Sequence, residues 1–157
     1  MRALLLLGLA LSAAAQQSRP PAEVNASTIV FVCEHGAAKS VVAAAHFNRL
    51  AAEKGIPYRA VSRGTNPDET VSPAVKAALA SEGLDVSAWR PRAITDDDVA
   101  KAKGVVSMGT DLPKTKPLAK PKLVEWNEIP SIGQNYDAAR AAIVKLVDEM
   151  VEKLKTK

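Results

Sequence analysis

Two rhythms of apolar and polar residues alternate along the chain. Thr28 to Val32 is a short run of strand formers, Thr-Ile-Val-Phe-Val, and predicts a first strand. From Lys39 to about Glu53 the apolar positions recur at helical spacing, and Gly55 fits the C-terminal cap. Tyr58 to Ser62 reads as a second strand, so strand, helix and strand imply a parallel pair joined by a right-handed crossover. Ser72-Pro73 is a helix start, a Ser cap with Pro at the first helical position; that helix runs to Glu82 and stops at Gly83. Thr95 caps a turn opened by Asp96-Asp97-Asp98, carboxylates that the helix dipole explains more simply than a metal does. Gly104 to Met108 and Leu123 to Trp126 predict strands three and four. Asp137 reads as the cap of a last helix, in which Ala139, Ile143, Leu146, Val147, Met150 and Leu154 recur at spacings of three and four. Short strands alternating with helices predict an α/β fold: a single open four-stranded parallel sheet with helices on both faces and one core. Such sheets bind ligands outside the carboxyl ends of the strands, where the strand order reverses.

The polar stretches between these elements read as loops. Arg63-Gly64-Thr65-Asn66-Pro67-Asp68 is one by composition, with Arg63 expected as a solvated charge, the alternative being a substrate contact. Lys114 to Lys122 is rich in Lys and Pro and expected to be exposed, and 127–136 is irregular. The full 157 residues make one domain's worth of chain, and a 47% apolar share suffices for one core. The formal charge of +4 is mild and scattered, with no stripe of Lys and Arg interleaved with aromatics. Nucleic acid is therefore not favoured as a partner, while an anionic substrate suits the basic balance.

The N-terminus adds a compartment. Met1-Arg2 supplies a charged start, Ala3 to Leu11 an apolar stretch too short to span a bilayer, and Ala13-x-Ala15 a small-residue cleavage site before Gln16. Residues 1–15 are expected to be a secretory signal, 16–26 a flexible lead-in and 27–157 the folded domain. The expected location is periplasmic or secreted, with no stable membrane anchor after cleavage. An exported chain usually carries cysteines in pairs, whereas this one has a single cysteine, which must be inert or reactive.

That residue, Cys33, closes the first strand and opens a loop of small residues, Glu34-His35-Gly36-Ala37-Ala38, that leaves through Lys39-Ser40 into the helix. Strand, tight loop and helix N-terminus bring backbone N–H groups together, and the helix dipole favours an anion there. A thiol so placed is stabilised as thiolate, and a cation six residues on helps hold an oxyanion. The bland alternative is a buried structural cysteine beside a helix start. No His/Cys/Asp cluster has metal-ligand spacing, and the chemistry read here needs no cofactor.

The Cys-x5-Lys-Ser spacing resembles the Cys-x5-Arg-Ser loop of the low-molecular-weight protein tyrosine phosphatases and of the arsenate reductases that share their fold. His35 matches a histidine of the reductase-like branch, Gly36 stands where the family usually has Asn, and Ser62-Arg63-Gly64-Thr65 resembles the family's Ser-Ala-Gly-Thr. The resemblance covers nearly all of 27–154 and implies the fold already predicted. It further implies that Cys33 attacks a phosphate monoester or phosphoprotein, phosphotyrosine among the candidates. The N–H groups of Glu34, His35, Gly36, Ala37, Ala38 and Lys39 then hold the oxyanion, and Ser40 donates to the thiolate. Lys39 in place of Arg is a departure, since an ammonium cannot grip two oxygens in one plane. Relatives take a general acid from an Asp-Pro after strand four. That dipeptide is missing from Trp126-Asn127-Glu128-Ile129-Pro130, where Glu128 is the nearest carboxylate, followed by Asp137. Two other readings stay open: an arsenate reductase drawing on an external thiol, and a catalytically silent pseudophosphatase that binds an oxyanion or phosphopeptide. Trp89 and Tyr136 are the aromatic candidates for an entrance wall.

Overall fold

The computed structural model describes residues 23–112 and 122–156. The expected signal segment, part of the lead-in and most of the Lys/Pro-rich run lie outside the described residues. The elements are β1 (Thr28–Cys33), α1 (Lys39–Glu53), β2 (Arg59–Gly64), α2 (Pro73–Ser81), α3 (Asp96–Lys101), β3 (Gly104–Ser107), β4 (Leu123–Glu125) and α4 (Tyr136–Lys155). The strands pair in parallel in the order β2-β1-β3-β4. This is the predicted open α/β sheet. Every residue of β1 is buried, as expected of a strand flanked by partners on both sides and covered on both faces. The chain moves from β1 to one neighbour and then back past it to the other, so the strand order reverses at the end of β1.

Period-two alternation sorts the β1 side chains into two cores. Ile29, Phe31 and Cys33 join residues of α1, α2 and α4 on one face. Val30 and Val32 join Val61, Val105, Val99 of α3 and Ala102 just after it on the other. The first face is anchored by Phe31, whose ring meets Phe47 edge-on at 5.9 Å and Trp126 at 5.5 Å. In α4, Ala139, Ile143 and Val147 are buried as predicted. Val151 completes the stripe, while Leu146, Met150 and Leu154 pack at its margin.

Several local expectations change. β2 continues through Arg63 and Gly64, beyond the expected end at Ser62. Ser72 caps nothing with its side chain; its N–H instead donates to the Ala37 carbonyl at 3.0 Å. The cap of α4 is Asn135, whose Oδ1 accepts from the Ala138 N–H at 3.0 Å, so Asp137 is a first-turn residue rather than the cap. Asn135, two residues before Asp137, stands at the position from which a side-chain oxygen reaches the free N–H of the first turn. Thr95 does cap α3. Its Oγ1 accepts from the Asp98 N–H at 3.0 Å, and Asp98 reciprocates toward the Thr95 N–H at 3.3 Å.

Candidate active site

Cys33 ends β1 with 4% of its surface exposed, and its Sγ lies 3.2 Å from the Oγ of the fully buried Ser40. The first turn of α1 carries no acidic residue, and Ala38 at its head makes no side-chain capping bond. The opening N–H groups of a 15-residue helix are thus left without a side-chain acceptor beside a thiol.

The loop between them is held from behind. The segment after β2 lies against it as a strap. The N–H groups of Thr65, Asn66, Asp68 and Ser72 donate to the carbonyls of Cys33, Glu34, His35 and Ala37 at 3.2, 2.8, 3.0 and 3.0 Å. In a trans peptide the N–H points opposite to the C=O. With those carbonyls turned to the strap, the N–H groups of Glu34, His35, Gly36 and Ala38 face away from it, as an oxyanion cradle requires. Strap and loop cross glycine on glycine. A Cβ on Gly36, whose φ is +61°, would lie 2.8 Å from the Gly64 nitrogen, and one on Gly64 would lie 2.8 Å from the Gly36 nitrogen. Neither residue tolerates a side chain without movement of backbone.

Lys39 is partly buried, and its Nζ lies 3.7 Å from where a Cβ on Gly109 would stand. Gly109 follows Met108, whose N–H donates to the Val32 carbonyl at 2.8 Å, so the ammonium rests beside the carboxyl end of β1. No carboxylate among the described residues pairs with it. The loops after β2 and β3 are joined by the Thr65 and Thr110 hydroxyls at 2.9 Å. On the loop itself the Glu34 and His35 side chains are exposed, with His35 Nδ1 3.2 Å from Asp68 Oδ1 and Nε2 3.7 Å from Glu34 Oε2.

Cys33, Ser40, Lys39 and the loop residues 34–38 therefore come together. Glu128 does not join them. It is exposed, makes no hydrogen bond or ion pair among the described residues, and lines a hollow with Trp126, Ala142, Lys145 and Glu149 instead. Arg63 is not the solvated charge expected. It is 6% exposed, and its Nε and Nη2 donate to the Asp98 carboxylate at 2.8 and 3.4 Å, while Nη1 donates to the Ser62 carbonyl at 3.0 Å. Val32 pairs with Arg63 and Cys33 with Gly64, so alternation sends the guanidinium to the sheet face opposite the thiol. Arg63 accordingly supplies no fork to the cradle. Trp89 is 2% exposed in the core and Tyr136 buries its hydroxyl, so neither forms an entrance wall. No group of His, Cys, Asp and Glu that could hold a metal occurs among the described residues.

One cluster escaped the sequence reading. His46 of α1 is fully buried; its Nδ1 takes a 3.0 Å hydrogen bond from Arg49, and its Nε2 faces Glu82 Oε2 at 3.4 Å without completing one. Burial outweighs the attraction of Glu82 and lowers its pKa to about 4, so the contact with Glu82 is that of a neutral imidazole. Arg140 donates to Glu82 through Nε at 2.7 Å and holds that carboxyl below its usual range. The His46–Arg49 spacing is readable on one helix, but the partners arrive from α2 and α4.

No curated protein sequence matches the chain. Solved structures do. The low molecular weight protein tyrosine phosphatase from T. tengcongensis is 22% identical over 80% of this chain and 98% of its own, with a TM-score of 0.73. The thioredoxin-dependent arsenate reductase of Corynebacterium glutamicum is 21% identical over 91% of this chain and 67% of its own, at 0.68. An arsenate reductase from Archaeoglobus fulgidus is 28% identical over 82% of this chain and 99% of its own, at 0.59. Phosphatases and reductases are thus both similar to it, on one fold. The family model for low molecular weight phosphotyrosine protein phosphatase matches residues 28–122, from the first residue of β1 through the cysteine loop and strap to the edge of β4. Over that stretch, more than half of its length, the chain belongs to the low molecular weight phosphotyrosine protein phosphatase family.

Proposed function

We propose that this protein is an exported phosphohydrolase that cleaves phosphate monoesters, phosphotyrosine among them, through a thiophosphate intermediate on Cys33. The observation that carries the reading is the 3.2 Å contact of Cys33 Sγ with Ser40 Oγ at the uncapped N-terminus of α1. The thiolate attacks phosphorus in line. The outward N–H groups of the loop and the Lys39 ammonium take the charge that builds on the equatorial oxygens. Ser40 donates to the sulfur and makes it a better leaving group when water attacks in the second step. Binding alone has no use for that hydroxyl.

Turnover is expected to be weak, because Lys39 gives charge without the planar two-point grip of a guanidinium. Lys39→Arg should raise kcat on p-nitrophenyl phosphate, roughly 10²-fold where a well-placed donor is gained. The bare backbone of Gly109 gives the wider head group a flat surface to lie on. Cys33→Ser should abolish turnover, and rapid quench with mass analysis of wild type should find phosphate on Cys33. Orthophosphate binding without any turnover, in wild type and Lys39→Arg alike, would replace the hydrolase with the binding-only pseudophosphatase.

The arsenate reductases among the similar structures favour a second reading. With one cysteine in the chain, the electrons for arsenate would have to come from an external thiol. Arsenate-dependent consumption of a small thiol that exceeds ester hydrolysis would establish it. Export is tested by intact mass, where the mature chain should begin at Gln16.

A further inference from the structure

We propose that the free edge of β4 pairs antiparallel with the same edge of a second copy of this chain, joining the two sheets across a two-fold axis at Val124.

The sheet treats its two edges differently. On β2 the outward-facing backbone is occupied. The Asn48 side chain accepts from the Ala60 N–H at 2.6 Å and donates to the Ala60 carbonyl at 3.1 Å. The Ser62 carbonyl accepts from Arg63 at 3.0 Å. Gly64 donates to the Arg92 carbonyl and accepts from the Ile94 N–H, both at 2.9 Å. On β4 the Lys122 carbonyl accepts from Val105 and the Trp126 N–H donates to Ser107, both at 2.8 Å, so these residues turn their backbone to β3. Alternation then turns the N–H and C=O groups of Leu123 and Glu125 outward. None of those four groups takes part in a hydrogen bond among the described residues. Such an open row is a template for another strand.

The edge is complementary to itself. Two outward residues on either side of Val124 match an antiparallel ladder. Leu123 exchanges both bonds with Glu125 of the second copy, and the two-fold repeats the exchange. Val124 then meets its own counterpart in the close position between the bonded pairs. Val124 pairs with Val106, which places it on the α4 face, and it is the exposed large hydrophobic among the described residues, at 38%. The partly buried Met150 and Leu154 of α4 border it.

Charge selects the antiparallel sense. Lys103 and Lys122 flank the amino end of the edge. Glu125, Glu128 and Glu149 flank its carboxyl end, with Lys145 among them. None of these forms an ion pair among the described residues. The two-fold lays the basic end of one copy along the acidic end of the other, whereas two parallel copies would set like on like. A strand of three residues makes a small contact, so the dimer is reversible rather than permanent.

Sedimentation of the purified chain should show a monomer–dimer equilibrium that follows concentration. Amide exchange by NMR should locate the contact. The Leu123 and Glu125 N–H groups should slow as concentration rises, while the Trp126 N–H, already bonded to β3, is slow throughout. Val124→Lys sets like charges together on the axis and should raise the dissociation constant at least about tenfold. Lys122→Glu and Glu125→Lys should each weaken self-association. An equal mixture of the two should associate more tightly than either alone, because an acidic edge then faces a basic one. The exchange measurement uses wild type only, so it decides the matter even where a variant folds poorly. A monomer at millimolar concentration would overturn the proposal. So would a dimer in which the Leu123 and Glu125 amides exchange at the monomer's rate.

Discussion

The two faces of the sheet each bury charge, and they do so in opposite ways. On the α3 face, Arg63 and Asp98 form a two-point ion pair with side-chain exposures of only 8% and 12%. On the α1 face, His46 is kept neutral, and the ionic partners Glu82 and Arg140 sit further out at 18% and 33%. A sealed ion pair is costly to assemble and more costly to break, so it serves where a fixed geometry is needed. Arg63 immediately precedes Gly64 and the strap that turns the loop carbonyls away from the cradle. The His46 cluster ties α1 to the end of α2 and to α4, away from the loop, and answers to pH. One face therefore guards the shape of the site, and the other the assembly of the helices.

The largest expected effect tests the first half of that contrast. Arg63→Met leaves the Asp98 carboxylate buried without its cation and should destabilise the fold by about 3–5 kcal/mol, read from urea midpoints. Orthophosphate protection of Cys33 against alkylation should fall along with stability, because the strap loses its anchor. If protection survives intact in the folded fraction, the ion pair stabilises the sheet without shaping the cradle.

Next in size is the pH response of the other face. His46 has a pKa of about 4 in the folded protein, against 6.5 for an unperturbed histidine. Between those values the unfolded chain binds a proton that the folded chain refuses, so stability is full above pH 6.5 and declines as pH falls toward 4. The shift corresponds to a loss of at most about 3 kcal/mol. Glu82, lowered chiefly by its bond to Arg140, adds to the decline at the acid end, since a carboxylate stabilised in the folded state loses that stabilisation on protonation. His46→Gln should flatten the dependence of the urea midpoint on pH between 6.5 and 4. Equal slopes in variant and wild type would remove His46 from the account.

Legibility in the sequence followed the kind of force involved. β1, α1 and the Cys33 loop were readable because side-chain periodicity and small residues decide them. The strap was not, because its bonds to the loop run from backbone to backbone and ask little of residue type beyond Gly36 and Gly64. Arg63 was misread by ending β2 at Ser62. Carrying the alternation two residues further would have put it on the face of Val61 and called for a buried partner. The role of Asp98 was half seen. Its place in the first turn of α3 was correct, but a partner 35 residues away in sequence was not readable from local pattern. Glu128 was chosen by analogy with relatives in a stretch whose residues depart from theirs, and its neighbours in the fold are those of α4.

The smallest effect separates the two duties of Asp98. Its Oδ2 accepts from Arg63 Nε at 2.8 Å and also faces the Thr95 N–H at 3.3 Å, while its own N–H donates to Thr95 Oγ1 at 3.0 Å. Thr95→Ala deletes that last bond and nothing of the ion pair, so it should cost about 1 kcal/mol, the usual worth of an N-cap. Thr95→Ser, which keeps the oxygen, should cost much less. The two sites share one carboxylate, so the losses in Thr95→Ala and Arg63→Met should not add. Once Arg63 is gone, the Asp98 carboxylate is no longer fixed by its two-point pair and serves the cap less well, which makes the second substitution cheaper than the first. A coupling of at least about 0.5 kcal/mol in the double-mutant cycle is expected. Strict additivity would mean that the cap holds α3 without regard to the ion pair, and that the α3 face steadies the cradle through Arg63 and Asp98 alone.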